Sequence, residues 1–248
     1  MKRYMLFFVW SFMTLNAVEI TVAVSTNVSY AIEPLKKAFK EVNPDTTVNV
    51  VLGSSGKLTA QIRHGAPFDL FMSANMVYPN VLYKEKLAVS KPVVYAQGSL
   101  ALLSVKGRNY SNKIYVLKDM DIQKIAIANP KTAPYGVAAM EVIKNAKLYE
   151  VLKDKLVYGE SVSQTVAYTT TAADIGIIVM SSLFSPQMSH FKEAIHWSEI
   201  DEGLYTPIDQ GIVILMHGEG ITEVKAFYDF ILGNKAKEIL KSFGYKVL

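Results

Sequence analysis

Residues 52–75 read Leu52-Gly53-Ser54-Ser55-Gly56-Lys57-Leu58-Thr59-Ala60-Gln61-Ile62-Arg63-His64-Gly65-Ala66-Pro67-Phe68-Asp69-Leu70-Phe71-Met72-Ser73-Ala74-Asn75. A β-rich run, Thr46 to Leu52, feeds a Gly-Ser-Ser-Gly turn. The spacing predicts a helix from Ser55 to His64, stopped by Gly65, and then a short apolar strand from Phe68 to Ser73. Strand, turn, helix, strand is the unit that sets a helix N-terminus at the edge of a parallel sheet. The N–H groups of a first helical turn have no intrahelical acceptor, and with hydroxyls beside them they favour an anion. The stretch therefore reads as half of an oxyanion site, with the other half elsewhere in the chain.

Toward the N-terminus, Glu19 to Ser25 has the β-branched run of a buried strand. It ends in Thr26-Asn27-Val28-Ser29, and Tyr30 to Val42 then has helical spacing, with Ile32, Leu35, Ala38, Phe39 and Val42 on one face. Asn27 or Ser29 is the expected N-cap. This turn repeats the design at Gly53 to Gly56. Toward the C-terminus, Tyr78 to Lys86 reads as a helix, and Pro92–Tyr95 and Leu100–Val105 as strands around Gln97-Gly98-Ser99. Gly107 to Lys113 is polar and loop-like. Lys124 to Ala128 is a strand that enters the long turn Asn129 to Gly136, followed by a helix from Val137 to Lys144. Leu156 to Tyr158 leads through Gly159-Glu160-Ser161 into a helix from Val162 to Thr171, and Ile175 to Met180 is another buried strand. Thr206 to Met216 returns as a strand interrupted at Asp209-Gln210-Gly211, and Thr222 to Phe243 is helical with a break at Gly233-Asn234.

Such alternation implies an α/β fold with mostly parallel sheets. The strands fall into two groups, parted near Gly98 and near Tyr205. Two lobes are expected, 18–97 together with 206–248, and 98–205, with the chain crossing twice. In open α/β sheets a ligand lies beyond the carboxyl ends of the strands. Two such sheets facing each other make a cleft.

The chain has 248 residues, half of them hydrophobic and 19% charged, which suits a sizeable core. Met1-Lys2-Arg3, the apolar run Tyr4 to Leu15 and Asn16-Ala17 read as a secretory signal peptide over residues 1–17, cleaved after Ala17. An uncleaved anchor is the alternative. Losing Lys2 and Arg3 lowers the formal net charge from +4 to +2, too weak a balance to argue for nucleic acid. Cysteine is absent, which excludes disulfides, thiolate chemistry and a lipid-modified cysteine. The expectation is a soluble periplasmic protein.

Thr26-Asn27, Ser54-Ser55, Pro134-Tyr135-Gly136 and Ser161-Val162 share one chemistry: N–H groups at a helix start, with hydroxyl or amide groups nearby and no Lys or Arg at the centre. One helix N-terminus favours an anion by roughly 0.3–1 kcal/mol, about 2 when partly buried. Several converging would hold a dianion without a counter-charge. Taken singly, Ser, Thr and Asn at helix starts are ordinarily caps. Lys57 flanks the second turn as a solvated helix residue. Rival chemistries lack their residues. His64, His190, His196 and His217 have no metal-ligand spacing. Gly53-Ser54-Ser55-Gly56 matches neither a phosphate loop nor a nucleophile elbow. Asp69 reads as a structural acceptor, and no carboxylate pair stands out for acid–base work.

These residues also carry a resemblance. Ile20 to Asn27, Leu52 to Leu58 and Gly65 to Ala74 resemble the periplasmic molybdate-binding proteins of ABC transporters, the ModA family. Ala128-Asn129-Pro130, Ala133-Pro134-Tyr135-Gly136, Gly176-Ile177-Ile178-Val179 and Ala226-Phe227-Tyr228-Asp229-Phe230 extend it in order over essentially the whole mature chain. The resemblance implies a type II periplasmic-binding-protein fold, two α/β lobes joined by two hinge strands with the ligand cleft between them. It implies a monomeric, non-enzymatic receptor without a cofactor. The receptor would bind molybdate or tungstate and deliver it to an inner-membrane permease and its ATPase. Carried over by position, the oxyanion contacts are Thr26, Asn27, Ser55, Tyr135 and Val162, the last by its backbone N–H. Asn27 stands where some members have Ser, and the region of Val179 is apolar where some have Tyr, so the tyrosine contact is assigned to Tyr135. Other readings are a receptor for sulfate, phosphate or ferric ion, or an exported serine hydrolase using Ser54 or Ser55.

Overall fold

A computed structural model describes residues 18–247, so the expected signal peptide lies outside the described residues. In chain order, β1 is Val18–Ser25, α1 Ile32–Val42, β2 Thr46–Gly53, α2 Ser55–Arg63, β3 Leu70–Ser73, α3 Val77–Lys84, β4 Val93–Gly98 and β5 Leu100–Leu103. Then come β6 Ile125–Ala128, α4 Pro134–Asn145, α5 Tyr149–Leu152, β7 Leu156–Gly159, α6 Val162–Thr171 and β8 Ile175–Val179. The chain closes with β9 Trp197–Glu199, β10 Ile208–Ile214, α7 Thr222–Leu232 and α8 Asn234–Ser242.

The strands form two five-stranded sheets, β2-β1-β3-β10-β4 and β7-β6-β8-β5-β9, one in each lobe. Each is covered on both faces, as the period-two alternation of its strands dictates. In β1, Ile20, Val22 and Val24 pack under α1 and α7, while Ala23 faces Leu58 and Ile62 of α2. In β5, Leu100 and Leu102 join one core of the second lobe, and Ala101 and Leu103 the other. The face of α1 buries Ile32, Leu35 and Phe39, and Phe39 meets Phe227 of α7 edge to face at 5.0 Å. Gly65, at φ +82, ends α2 in the left-handed conformation that glycine adopts most easily.

Register decides where the turns go. β1 runs parallel to β2 with Ser25 beside Gly53, so the first and second turns leave the same sheet edge together. β6 runs parallel to β7 with Ala128 beside Gly159, which does the same for the third and fourth.

The sheets are mixed rather than mostly parallel. β10 is antiparallel to β3 and β4, and β5 to β8 and β9. A parallel pair needs a crossover of about a dozen residues or more. Only Ser99 separates β4 from β5, so no crossover helix intervenes where the chain changes sheet. It returns through residues 200–207. Strand β9 has no signal in the sequence. The helix expected at Tyr30 starts at Ile32, because Thr26–Tyr30 coil into a 3-10 turn first. Neither Asn27 nor Ser29 is its N-cap. That position is Ala31, which makes no side-chain cap bond.

Candidate functional site

The four turns meet between the lobes. Ser25, just before the first turn, shares a hydrogen bond with Ser55 of the second, Oγ to Oγ at 2.8 Å. The second turn reaches the third through Gly56, whose N–H donates to the Thr132 carbonyl at 3.0 Å. A Cβ on Gly56 would lie 2.9 Å from that carbonyl oxygen, so this close approach requires glycine. The first turn packs against α6, which the fourth turn opens. Asn27 and Tyr135 hold opposite ends of one side chain: Gln210 Oε1 accepts from Asn27 Nδ2 at 2.7 Å, and Gln210 Nε2 donates to Tyr135 Oη at 3.2 Å. At the rim, Lys57 Nζ lies 2.6 Å from Glu160 Oε2. Lys57 is thus an interlobe partner and not merely a solvated helix residue. The ammonium holds the Glu160 carboxyl below the usual range.

The residues assigned to the oxyanion differ in what they still have to give. Thr26 is nearly buried, in a 3-10 turn whose first N–H groups lack acceptors inside the turn. Asn27 is fully buried, and both hydrogens of its side-chain amide are committed, to Gln210 and to Tyr245 Oη at 3.0 Å. Its Oδ1 has no partner among the described residues. Ser55 is committed by its hydroxyl, which accepts from the Ala74 N–H at 2.9 Å as well as meeting Ser25. Its neighbour Ser54 is the reverse. It sits at the N-cap of α2 without making a cap bond, and its Oγ is buried with no partner among the described residues. Thr132 Oγ1 is in the same position. Tyr135 and Val162 open α4 and α6, both buried.

Behind the turns lies a buried polar cluster of Asn27, Ser181, Gln210 and Tyr245. Tyr245 Oη donates to the Asn27 carbonyl at 2.8 Å, and Ser181 Oγ donates to the same oxygen at 2.9 Å from the other lobe. Burial raises the tyrosines here: Tyr135 stands well above its ordinary value and Tyr245 is pushed up to about 12, so both are neutral donors at physiological pH. Gly98 of β4 makes room, since a Cβ there would fall on the Tyr135 hydroxyl. Sequence reasoning reads Ser54 only as part of the second turn or as a hydrolase nucleophile, and does not single out Ser181, Gln210 or Tyr245 as site residues. Only the Gln97-Gly98-Ser99 and Asp209-Gln210-Gly211 interruptions hinted at this cluster.

The rival chemistries stay apart from the turns. His64 sits at the far end of α2, its Nδ1 on the Ala60 carbonyl at 2.7 Å, remote from both serines in its own helix. Asp69 is the structural acceptor expected of it, taking the Thr21 N–H at 2.6 Å and meeting His217 Nδ1. Among the described residues, no group of His, Cys, Asp and Glu is placed to hold a metal ion, and no helix is long and apolar enough to cross a membrane.

The profile of the bacterial extracellular solute-binding protein family matches residues 20–246. The chain is 35% identical over 234 residues to the molybdate-binding protein ModA of Azotobacter vinelandii, covering 93% of this chain and 90% of that one. It is 36% identical over 229 residues to the molybdate-binding protein ModA of Rhodobacter capsulatus, covering 92% and 88%. The solved structure of the Azotobacter vinelandii periplasmic molybdate-binding protein superposes with a TM-score of 0.85 at 30% sequence identity, over 92% of this chain and 99% of that one. Both lobes lie within the match, which bears out the expected periplasmic-binding fold.

Proposed function

The chain belongs to the bacterial extracellular solute-binding proteins and, among them, to the ModA family of molybdate-binding proteins, and from that premise we propose that its cleft holds a tetrahedral oxyanion, molybdate or tungstate, for uptake by an ABC transporter. The observation that supports this best is the convergence of four neutral helix-start turns, with the second joined to the third across the cleft through Gly56 and Thr132, and the first to the third through Gln210. No lysine or arginine is placed at their centre. The ligand's charge is met by dipoles and hydrogen bonds alone.

Each turn has a distinct part. Thr26 gives its hydroxyl and N–H, and Asn27 gives its N–H, because its amide hydrogens are already committed. Ser55 gives its N–H, while the hydroxyl at the second turn comes from Ser54, which is buried and has no partner among the described residues. Tyr135 gives its phenolic proton and Val162 its N–H. A ring that turns its N–H and O–H donors to the ligand favours a fully deprotonated oxyanion, every oxygen of which accepts.

The protein acts by binding and release, with no covalent step. Among the described residues, neither Ser54 nor Ser55 is hydrogen-bonded to a base of the kind nucleophilic catalysis needs. It works as a monomer in the periplasm, after removal of residues 1–17. It hands the anion to an inner-membrane permease driven by its ATPase.

Calorimetric titration with molybdate, tungstate, sulfate and phosphate tests the reading. Tight binding of molybdate and tungstate with weak or absent binding of sulfate and phosphate is expected. Tight sulfate or phosphate binding without molybdate would replace it with a different receptor. Ester hydrolysis lost on Ser54→Ala or Ser55→Ala would replace it with an enzyme.

A further inference from the structure

The buried network behind the turns fixes the orientation of both its side-chain amides. Gln210 sits on β10 at an irregularity in the β10–β4 pairing between Gln210 and Gly211, the kind of feature that re-aims a side chain. It is fully buried. Its Nε2 donates to its own strand at the Ile208 carbonyl, 3.1 Å away. That bond fixes the amide: nitrogen faces Ile208 and Tyr135, oxygen faces Asn27. Asn27 must then turn its nitrogen to Gln210, and its second hydrogen goes to Tyr245, which has sent its own proton to the Asn27 carbonyl. Tyr135 is left receiving a hydrogen from Gln210. An amide nitrogen cannot accept, so the Tyr135 proton has two places to go, the Tyr245 oxygen beside it or an oxyanion in the cleft.

Resting on the oxyanion reading, we infer that Gln210 is a positioning residue: by occupying the Tyr135 oxygen with a hydrogen bond, it keeps the Tyr135 proton available to the bound anion. It does so while holding Asn27 on the other lobe, so one side chain sets the donor on one wall and braces the turn on the opposite wall. Gly98 is part of the device, since any side chain there would take the place of the Tyr135 hydroxyl and crowd Gln210 Nε2.

Gln210→Glu inverts the arrangement. A carboxylate offers the Tyr135 proton a third and stronger acceptor, and the hydroxyl turns from the ligand. Gln210 itself meets Tyr135 from α4 and Asn27 from the first turn, and the titratable groups that act on Tyr135 are Tyr245 from the C-terminal segment, Tyr95 from β4 and Tyr205 from the return segment. All four tyrosines are raised above their ordinary value by burial, so the introduced carboxyl is the group in this cluster that titrates near neutrality.

The test is a molybdate titration of the wild type, Gln210→Glu, Gln210→Met, Tyr135→Phe and the double variant Gln210→Glu/Tyr135→Phe, from about pH 6 to about pH 9, where a buried carboxyl passes from neutral to charged. Gln210→Glu should lose about 10-fold or more in affinity, with the loss growing as pH rises, against a flat wild-type profile. In the Tyr135→Phe background the same change should cost only about 3-fold or less, because the proton it diverts is gone. Gln210→Met, which adds no charge, should lose about 3- to 10-fold at every pH. Equal losses from Gln210→Glu in both backgrounds would mean plain repulsion of the anion and would overturn the inference. So would wild-type affinity in either Gln210 variant. Failure of the wild type itself to bind molybdate would instead overturn the functional reading on which this rests.

Discussion

Helices α2 and α6 both start with a serine at the N-cap, at the edge of a sheet, facing the other lobe. The two serines are used in opposite ways. Ser161 accepts from the Gln164 N–H at 3.3 Å and satisfies one of its own helix's free donors. Ser54 makes no such bond, and its buried hydroxyl has no partner among the described residues. A cap hydroxyl normally contributes about 1 kcal/mol to stability, and an unmet buried hydroxyl costs about 1–3 kcal/mol. Ser54 therefore forgoes a gain and bears a cost that a bound anion would reverse. The same residue type in the same position is structural in one lobe and, on the proposed function, is held for the ligand in the other.

Ser54→Ala is the sharpest way to break the contrast. It should cost about 1–3 kcal/mol of molybdate binding while leaving the ligand-free melting temperature unchanged or slightly raised, because an unpaired buried hydroxyl is removed. Calorimetry and thermal unfolding of the same preparation read both effects. Unchanged affinity would return Ser54 to an ordinary turn residue.

Ser55→Ala should behave differently although it is the next residue. It leaves the Ala74 N–H without its acceptor and Ser25 without its partner, so about 1–3 kcal/mol should be lost from folding stability. The hydroxyl itself never reaches the ligand on this account. Binding, measured well below the lowered melting temperature, should therefore fall less than in Ser54→Ala. A larger affinity loss than Ser54→Ala would restore Ser55 as the hydroxyl donor.

Ser161→Ala completes the set. Loss of a satisfied cap should lower stability by about 1 kcal/mol, read as a fall in melting temperature. Affinity should stay close to wild type, since Val162 keeps its N–H. An affinity loss matching that of Ser54→Ala would erase the contrast between the two helix starts.

Sequence alone carried much of this. The β-branched runs at Ile20 to Val24 and Ile175 to Val179 marked buried strands, and Gly65 marked the end of α2, because those signals are local. The turns at Thr26, Ser54, Pro134 and Ser161 were visible for the same reason. The choice between Ser54 and Ser55 was not, because it depends on Ser25 and Ala74, which meet Ser55 only after β1 and β3 have paired. Gln210 and Tyr245 were still less visible. They reach Asn27 from 183 and 218 residues away, and no local pattern records a partner at that distance. The antiparallel settings of β5 and β10 escaped for a related reason: strand direction is fixed by where the chain crosses between lobes, and hydrophobic alternation is blind to direction.

The smallest effect is expected at the rim, where α2 and the turn before α6 meet through Lys57 and Glu160. Both side chains are about half exposed, so the pair is screened by salt and adds little. Because it spans the cleft, it acts on the joined arrangement of the lobes and not on either lobe alone. Its pH sign follows from Glu160, whose carboxyl is held below the usual range by the ammonium. The contribution is therefore present above the ordinary carboxylate value and is lost as pH falls through the depressed one. Lys57→Ala should speed molybdate release slightly at low ionic strength, as followed by stopped-flow dissociation. At about 1 M salt, where the screening length is near 3 Å, it should match the wild type. A loss that persisted in high salt would mean that Lys57 acts on the anion itself. The site would then no longer be one built from neutral donors alone.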